Sequence, residues 1–434
     1  MVVYADFHIH SKYARAVSPN STLENLAAGA AVKGLGIIGT GDFTHPKWFD
    51  EIRNKLQPAG EGQDGLYTLR GSPHDIRFML TTEVATFDSF KRVHHIIHVE
   101  TMDEAKQLND VYGKRGNLAA DGRPMFGRTS SADLVEMTKQ AAPRAEIVSA
   151  HAWTPYFGVL GDKSGFNSVQ EAYGDQAGKV LGIETGMSST PSMNWRVSSL
   201  DKFAIMSNSD PHSPQSWRIG RECNAFSDDC NSFKEIFDAV RRADNSKFLF
   251  TVETAPEYGR YHWDGHRGCN FSSSPQETQK VNGICPVCKK KLTIGVDNRV
   301  EKLADRPVGF QRKNAIPFKT VLPLAELIVA VYGGSLYAKG TAEIYQKLIA
   351  KFGNEFTILF DASEKDVAEI AGHQLARVAM LNRENKIKIK PGYDGEYGVL
   401  QLPNELIVKA KRTRKTNAAA PLPVEGRQVG LGEF

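Results

Sequence analysis

Seven short apolar runs, most followed by a helical pattern, dominate residues 1 to about 250, and this alternation constrains the fold more than any other feature. The runs are VVYADFHIH, LGIIGTGD, RFMLTTEVA, RVHHIIHVE, AEIVSAHAW, KVLGIETG and KFAIMSNSD. Helical periodicity appears over 22–33, with Ser21 or Thr22 as the N-cap and Gly34 as the stop. It appears again in DEAKQLNDVYG, SADLVEMTKQ and SFKEIFDAVRRA. Strand–helix alternation predicts a parallel sheet or barrel. In such folds the loops at the carboxyl ends of the strands build the active site. His8, Asp42, His151 and Asp210 all lie at or just past such ends.

The rest of the chain divides by composition. Residues 256–307 are rich in Cys, His, Gly, Ser and Lys and lose the apolar periodicity, which predicts a small metal-stapled module. Residues 308–408 regain helical spacing in LPLAELIVAVYG, TAEIYQKLIAKFG and EKDVAEIAGHQLARVAMLNREN. Residues 409–434 are basic, then Ala/Pro-rich, and are expected to be a disordered tail. At 41% apolar residues the chain can bury a core, which excludes wholesale disorder. A net charge of +4 excludes a generally polybasic protein while allowing a local basic groove. No run approaches the roughly 18 apolar residues of a membrane helix. The start, MVVYADFHIH, lacks a basic segment ahead of an apolar one, so no secretion signal and no membrane partner are expected. The expected location is the cytoplasm, associated with the nucleoid.

His8 and His10 are one residue apart, so on a strand their imidazoles share a face, as does Asp6. Asp42 and His45 follow the second run, and Glu83 ends the third. One of His94, His95 and His98 comes from the fourth. His151 lies in SAHAWTP, and Asp210 and His212 in NSDPHSP. Imidazoles backed by carboxylates and delivered by several strands form a divalent-metal site. A lone buried histidine is usually an ordinary core residue, and His74 and His373 are read that way.

Asp6-Phe7-His8-Ile9-His10, Asp42, Glu83, a strand histidine, His151 and Asp210-Pro211-His212 resemble the ordered motifs of the PHP (polymerase and histidinol phosphatase) superfamily. That resemblance implies an α/β fold: a distorted seven-stranded (β/α) barrel with a trinuclear metal centre and phosphoester hydrolysis. The runs HAWTPYFG, IETGMSSTPSMNWR and SNSDPHSP, with the Cys-rich module and helical region, resemble the archaeal endonuclease Q family over nearly the whole chain. This second resemblance implies cleavage of DNA on the 5′ side of a deaminated base (uracil, hypoxanthine, xanthine) or an abasic site. By similarity His8, His10, Glu83 and Asp210 would hold one metal. Glu83 would bridge to a second, held also by His151 and the strand histidine. His95, which precedes two aliphatics, fits the family pattern best, with His94 and His98 as alternatives. Asp42, His45 and His212 would hold the third metal, although Phe43 stands where relatives have a histidine. His8, His10, Glu83, His151 and Asp210 are thus the catalytic candidates. The His/carboxylate set suits Zn²⁺, or Mn²⁺, better than Mg²⁺.

His266, Cys269, Cys285 and Cys288 form two x₂ pairs fifteen residues apart, a strong structural-zinc signal. His262 competes with His266 as the fourth ligand. Cys223 and Cys230 lack matching partners and are read as buried thiols. Lys289 to Lys291 and the aromatics Tyr258, Tyr261 and Trp263, with Arg260, suit nucleic-acid contact or, equally, a solvated face beside a small aromatic core. Lesion reading requires donors opposite the carbonyl that replaces an amine. The candidates are Asn194 and Arg196 within 184–196, with Trp153 and Tyr156 either to stack or wedge or, equally, to cap the barrel. The final residues, Gln428-Val-Gly-Leu431-Gly-Glu-Phe434, resemble the peptide that docks on sliding clamps of the proliferating-cell-nuclear-antigen type. The rival functions are a small-molecule phosphatase of the same superfamily and a non-catalytic DNA-binding scaffold.

Overall fold

The computed structural model describes residues 2–408. Each of the seven runs contributes one strand: β1 (Val2–Asp6), β2 (Ile37–Gly39), β3 (Arg77–Asp88), β4 (Lys91–Val99), β5 (Glu146–Ser149), β6 (Gly182–Glu184) and β7 (Ala204–Met206). They lie in the order β7-β6-β5-β4-β3-β2-β1, and the sheet continues through β8 (Cys223–Ser227), β9 (Phe248–Glu253) and β10 (Phe318–Thr320). The sheet curls into a half-barrel. Its seam is closed by side chains: Asn208 Oδ1 accepts the Phe7 N–H at 2.8 Å, and Asn224 Nδ2 donates to Ser207 O at 2.8 Å and Ala5 O at 3.3 Å.

The expected parallel arrangement needs correction. β4 runs antiparallel to both β3 and β5. Its link to β3 is the two-residue turn Ser89-Phe90, far too short for the crossover that parallel strands require. β8 is likewise antiparallel to β1 and β9.

Helices α1 (Leu23–Lys33), α2 (Pro46–Lys55), α3 (Met102–Tyr112), α4 (Ser131–Ala141) and α5 (Phe233–Arg242) belong to the barrel region. In α1, Thr22 Oγ1 accepts the Asn25 N–H, and Gly34, at φ +101°, ends the helix where a side chain would be strained. Its face of Leu23, Leu26, Ala27 and Ala30 is buried, each leucine contributing roughly 2 kcal/mol of burial. Beyond α6 (Val296–Leu303), helices α7 (Leu324–Tyr332), α8 (Lys339–Phe352) and α9 (Glu364–Arg383) pack together, and α9 kinks at Gly372. The helical region joins the barrel through a buried ion pair, Lys33 Nζ to Glu355 Oε1 at 2.7 Å.

Two pairings cross the boundaries expected from composition. β10 joins the barrel sheet from the C-terminal region, beside β9. The hairpin Lys388–Lys390/Val399–Gln401 closes a loop that returns to the cysteine-rich module. There Gly392 O accepts the Trp263 N–H at 3.0 Å, and Asp394 accepts from Arg267 N and Thr293 Oγ1 at 2.6 and 2.7 Å. Tyr258, Tyr261, Arg260 and Trp263 are therefore largely joint residues. Tyr258 stacks near Tyr397 (5.3 Å), and the Arg260 guanidinium lies over the same ring. Among the described residues no helix is long and apolar enough to cross a membrane. The expected clamp-docking residues Gln428, Leu431 and Phe434 lie outside the described residues.

Candidate metal centre

One mouth of the barrel brings two groups of donors together, with His8, His151 and Asp210 past the carboxyl ends of strands, Glu83 in the middle of β3 and His94 near the start of the antiparallel β4. His8, His10 and Asp210 form one, and Glu83, His94 and His151 the other, with the ligand atoms of each group within 4.8 Å of one another. Glu83 stands between them. Its Oε1 lies 2.6 Å from His94 Nδ1 and 3.2 Å from His151 Nε2, while its Oε2 lies 3.4 Å from His10 Nε2. Asp210 Oδ1 is 2.9 Å from His10 Nε2 and 3.7 Å from His8 Nε2.

These approaches are close but mostly not hydrogen bonds. His8 Nε2, His10 Nε2, His94 Nδ1, Glu83 Oε2 and Asp210 Oδ1 are all buried without a hydrogen-bond partner among the described residues. Buried polar atoms are almost always satisfied. Five orphans converging on one space, of types that ligate divalent cations, fit a pair of metal ions.

The outer nitrogens are tied down. His8 Nδ1 is 3.0 Å from Glu184 Oε2, and His10 Nδ1 is 3.0 Å from Asp42 Oδ1. An Nδ1–H donated to each carboxylate leaves the Nε2 lone pair facing the centre, the arrangement that fixes metal-binding imidazoles. Glu184 also accepts from His151 N and Asn208 Nδ2. Asp42 also accepts from Ser11 N and Oγ at 2.6 and 2.7 Å.

Burial alone would raise the Glu83 and Asp210 carboxyls. His94 and His8 beside Glu83, and His8 and His10 beside Asp210, hold both well below the usual carboxylate range. Three site residues carry unusual backbone: Asp42, His151 and Asp210 have φ of +47°, +28° and +43°. Such conformations cost of order 1–3 kcal/mol each and cluster at functional sites. Gly186 is required sterically, since a Cβ there would lie 2.3 Å from the His151 Cβ.

Several expected residues stand elsewhere. His95 is not at the centre; that place belongs to His94. Strand alternation decides it, because the β3–β4 register pairs Ala85 with His94 and Val84 with His95. His94 therefore shares a face with Glu83, and His95 points the other way, bonded to Thr86 Oγ1 (2.9 Å) and Tyr173 Oη (2.8 Å). Burial pushes the His95 imidazole down to about 3 and that of His98 to about 4, so both are neutral structural residues.

The third donor group expected around Asp42, His45 and His212 does not form among the described residues. Asp42 is spent on His10 and Ser11. The His45 ring stacks on Tyr13 at 4.4 Å. His212 remains near Asp210, with Nε2 3.6 Å from Oδ1.

Three of the four lesion-reading candidates are structural. Trp153 is fully buried, and its Nε1–H donates to Asn194 Oδ1 at 2.7 Å. The Asn194 amide donates to Ser189 Oγ and Thr190 O. Arg196 pairs with Glu301, 2.6 Å from Nη1 to Oε1, and braces α6 against the barrel. Tyr156 is half-buried and meets Tyr261 edge-on.

Sequence reasoning missed Arg123, whose Nε is 3.9 Å from Glu83 Oε2. It also placed Glu184 at the edge of the lesion segment, although Glu184 ends β6, whereas Glu83, expected at a strand end, lies in the middle of β3. Arg123 lies in a loop with no periodic signal.

In the cysteine-rich module, His266, Cys269, Cys285 and Cys288 offer ligand atoms within 4.8 Å of one another. His266 Nδ1 is 3.3 Å from Cys288 Sγ. His262 is not part of the group. Cys223 and Cys230 are buried free thiols.

The chain is similar to known proteins over most of its length. The family described as "MJ0043 C-terminal domain" matches residues 323–386. The uncharacterized protein MJ0043 of Methanocaldococcus jannaschii is 29% identical over 235 residues, which are 54% of this chain and 29% of that longer protein. The lesion-specific endonuclease PfuEndoQ from Pyrococcus furiosus superposes with a TM-score of 0.83 at 30% identity, covering 95% of this chain and 98% of that one. An endonuclease Q bound to a 27-mer duplex with an abasic lesion at its active site superposes with a TM-score of 0.84 at 29% identity, covering 95% and 99%.

Proposed function

The chain belongs to the endonuclease Q family, and from that premise we propose how its residues carry out lesion-directed cleavage of DNA. It is a metal-dependent DNA repair endonuclease. The break falls on the 5′ side of a deaminated base or an abasic site. The observation that carries this reading is the set of five buried, unpartnered imidazole and carboxylate atoms facing one space.

His8, His10, Asp210 and Glu83 would hold one cation, and Glu83, His94 and His151 a second, with Zn²⁺ or Mn²⁺ suited to the donors. Bound there, the ions supply an acidified water and positive charge opposite the phosphoryl oxygens. The protein does the rest. Glu184 and Asp42 hold His8 and His10 in the required tautomer. Arg123 places a guanidinium at the rim, where it meets an anionic backbone. No Ser or Cys nucleophile is needed. His266, Cys269, Cys285 and Cys288 would hold a structural zinc that keeps the module folded. Function divides at about 255 and 307 in this reading: the barrel cuts, and the module and helices hold DNA. The tail 428–434 supports docking on a sliding clamp.

The test is to incubate end-labelled duplexes carrying uracil, hypoxanthine or an abasic site and to map the nick. A 5′-side break in these and none in the undamaged duplex is expected. Hydrolysis of small phosphomonoesters with intact DNA would favour the phosphatase reading.

A further inference from the structure

The β3–β4 hairpin carries a feature that neither the core nor the metal centre explains. β3 is parallel to β2 and β2 to β1, with Asp6 level with Ile38 and Phe78. Glu83 is five residues further along β3, level with the mouth of the barrel. The turn Ser89-Phe90 lies six residues beyond Glu83, about 20 Å at roughly 3.3 Å per residue. The hairpin therefore rises past the catalytic mouth on the same two strands that supply Glu83 and His94. The strand Met125–Gly127 pairs with it at Ala85 and Thr86 and supports its base. From Asp88 to Phe90 it is exposed.

Phe90, at the tip, is 91% exposed and has φ +70°; Ser89 beside it has φ +48°. A two-residue hairpin turn with both residues at positive φ is normally Asn-Gly or Gly-Gly. A bulky aromatic is strained there and is almost wholly exposed among the described residues, so the position breaks the local rule twice. Such departures are expected where function outweighs stability. Met125 on the supporting strand is also 48% exposed. Arg92 on β4 lies over the Phe87 ring at 4.9 Å, Arg128 follows the supporting strand and is exposed, and Arg123 stands at the base beside Glu83. Of the nearby acids, Glu171 is paired with Lys91 at 3.2 Å, and Asp88 accepts from Ser89 Oγ at 3.2 Å. An apolar tip on a cationic stalk suits a polyanion with a stacked interior.

We propose that the β3–β4 hairpin is a duplex-opening finger, and that Phe90 inserts into the base stack beside the lesion while its arginines follow the backbone. The inference rests on the endonuclease reading above. It assigns the finger the unstacking that brings a lesion to an active site. Selectivity arises in part from the same step, since a mispaired or abasic position resists insertion least.

The experiment uses the full chain and lesion-bearing DNA with 2-aminopurine next to the lesion, in single-stranded and duplex form. Phe90→Gly removes the ring and suits the backbone, so the melting temperature holds or rises. Duplex cleavage is expected to fall about tenfold, the effect of losing one aromatic–base stack, with single-strand cleavage unchanged. In an Asp210→Asn background, which keeps the strand intact, the 2-aminopurine fluorescence rise on duplex binding is expected to vanish with Phe90→Gly and to return with Phe90→Trp. Undiminished duplex cleavage and fluorescence in Phe90→Gly overturn the proposal, as does an equal loss on both DNA forms. If the unaltered protein cuts neither form, the endonuclease reading falls, and the fluorescence pair still decides the finger.

Discussion

The protein has two groupings of candidate metal ligands built on opposite plans. In the cysteine-rich module the donors His266 and Cys288 are 22 positions apart, and short local elements hold them. In the barrel His8 and Asp210 are 202 positions apart, and the donors meet only because the sheet curls. A local site organises its own segment, so metal binding there is folding energy. A distributed site is organised by a fold that exists without it, so its metal serves chemistry. The difference predicts which half of the molecule suffers when ligands are removed. Asp210→Asn should lower cleavage on the order of 10³-fold, several kcal/mol of transition-state stabilisation, with the melting temperature nearly unchanged. Cys285→Ser should do the reverse: lose one bound zinc, open 256–295 to protease, and reduce cleavage far less. Metal content, limited proteolysis and single-turnover rates check the pair. Equal loss of stability in both variants would erase the contrast.

The barrel also contains a pH-sensitive element under its mouth. Burial pushes the Glu253 carboxyl up to about 7 and holds Glu222 well above its ordinary value. Glu253 Oε1 accepts from Ser207 Oγ and Thr251 Oγ1, while Oε2 is buried without a partner. An acid with a raised folded pKa favours the folded state while protonated. That stability is complete below the unfolded value near 4.5 and is lost as pH rises through about 7. The size is at most about 3 kcal/mol. Thermal unfolding should therefore move to lower temperature between pH 5 and 8. Glu253→Gln, which copies the neutral acid, should flatten that dependence. An unchanged slope in the variant would place its source elsewhere.

The same contrast explains what could be read in the sequence. All seven barrel strands and the helices at 22–33, 102–112, 131–141 and 233–242 were legible, because period-2 and period-3.6 patterns and caps such as Thr22 and Gly34 are local signals. The grouping of His266, Cys269, Cys285 and Cys288 was legible for the same reason. The choice among His94, His95 and His98 was not, because it depends on register. The two-residue turn Ser89-Phe90 sets that register, and its sequence has none of the usual Asn-Gly chemistry. Antiparallel β4 was missed for the same cause. Trp153 and Asn194 stay open in the sequence between lesion contact and a structural role, because aromatics and amides near a site look alike there whether exposed or buried; the structure favours the structural role. The roles of Glu184 and Asp42 behind the ligands required coordinates.

Those supporting carboxylates give a smaller effect that sharpens the comparison further. Glu184→Gln keeps the volume and one acceptor but removes the charge behind His8 Nδ1. Loss of such a partner typically weakens metal affinity 10–100-fold. Titrating metal into the stripped protein should show that loss for the barrel site and none for the cysteine-rich module. A change in the module alone would contradict the assignment.

The smallest effect concerns whether the two regions unfold as one. Arg196, from the segment after β6, forms a two-pronged pair with Glu301 on α6, at 2.6 and 3.2 Å, and its Nε reaches Arg306 O. Glu301 is 37% exposed on its side chain, so water screens the pair. Its net value is about 0.5–1 kcal/mol despite the good geometry. Glu301→Ala should therefore lower the melting temperature by only a degree or two in a chain this long. Its informative readout is cooperativity. α6 is also held by Arg299, whose guanidinium donates to Leu160 O at 2.8 Å and to Asn167 Oδ1 at 3.0 Å. With that second brace intact, a single transition is expected to persist in Glu301→Ala, and cleavage should be unchanged because neither residue touches the metal centre. A split into two transitions would mean that one exposed ion pair couples the regions, and that the locally built module folds more independently of the barrel than its shared loops with residues 388–401 suggest.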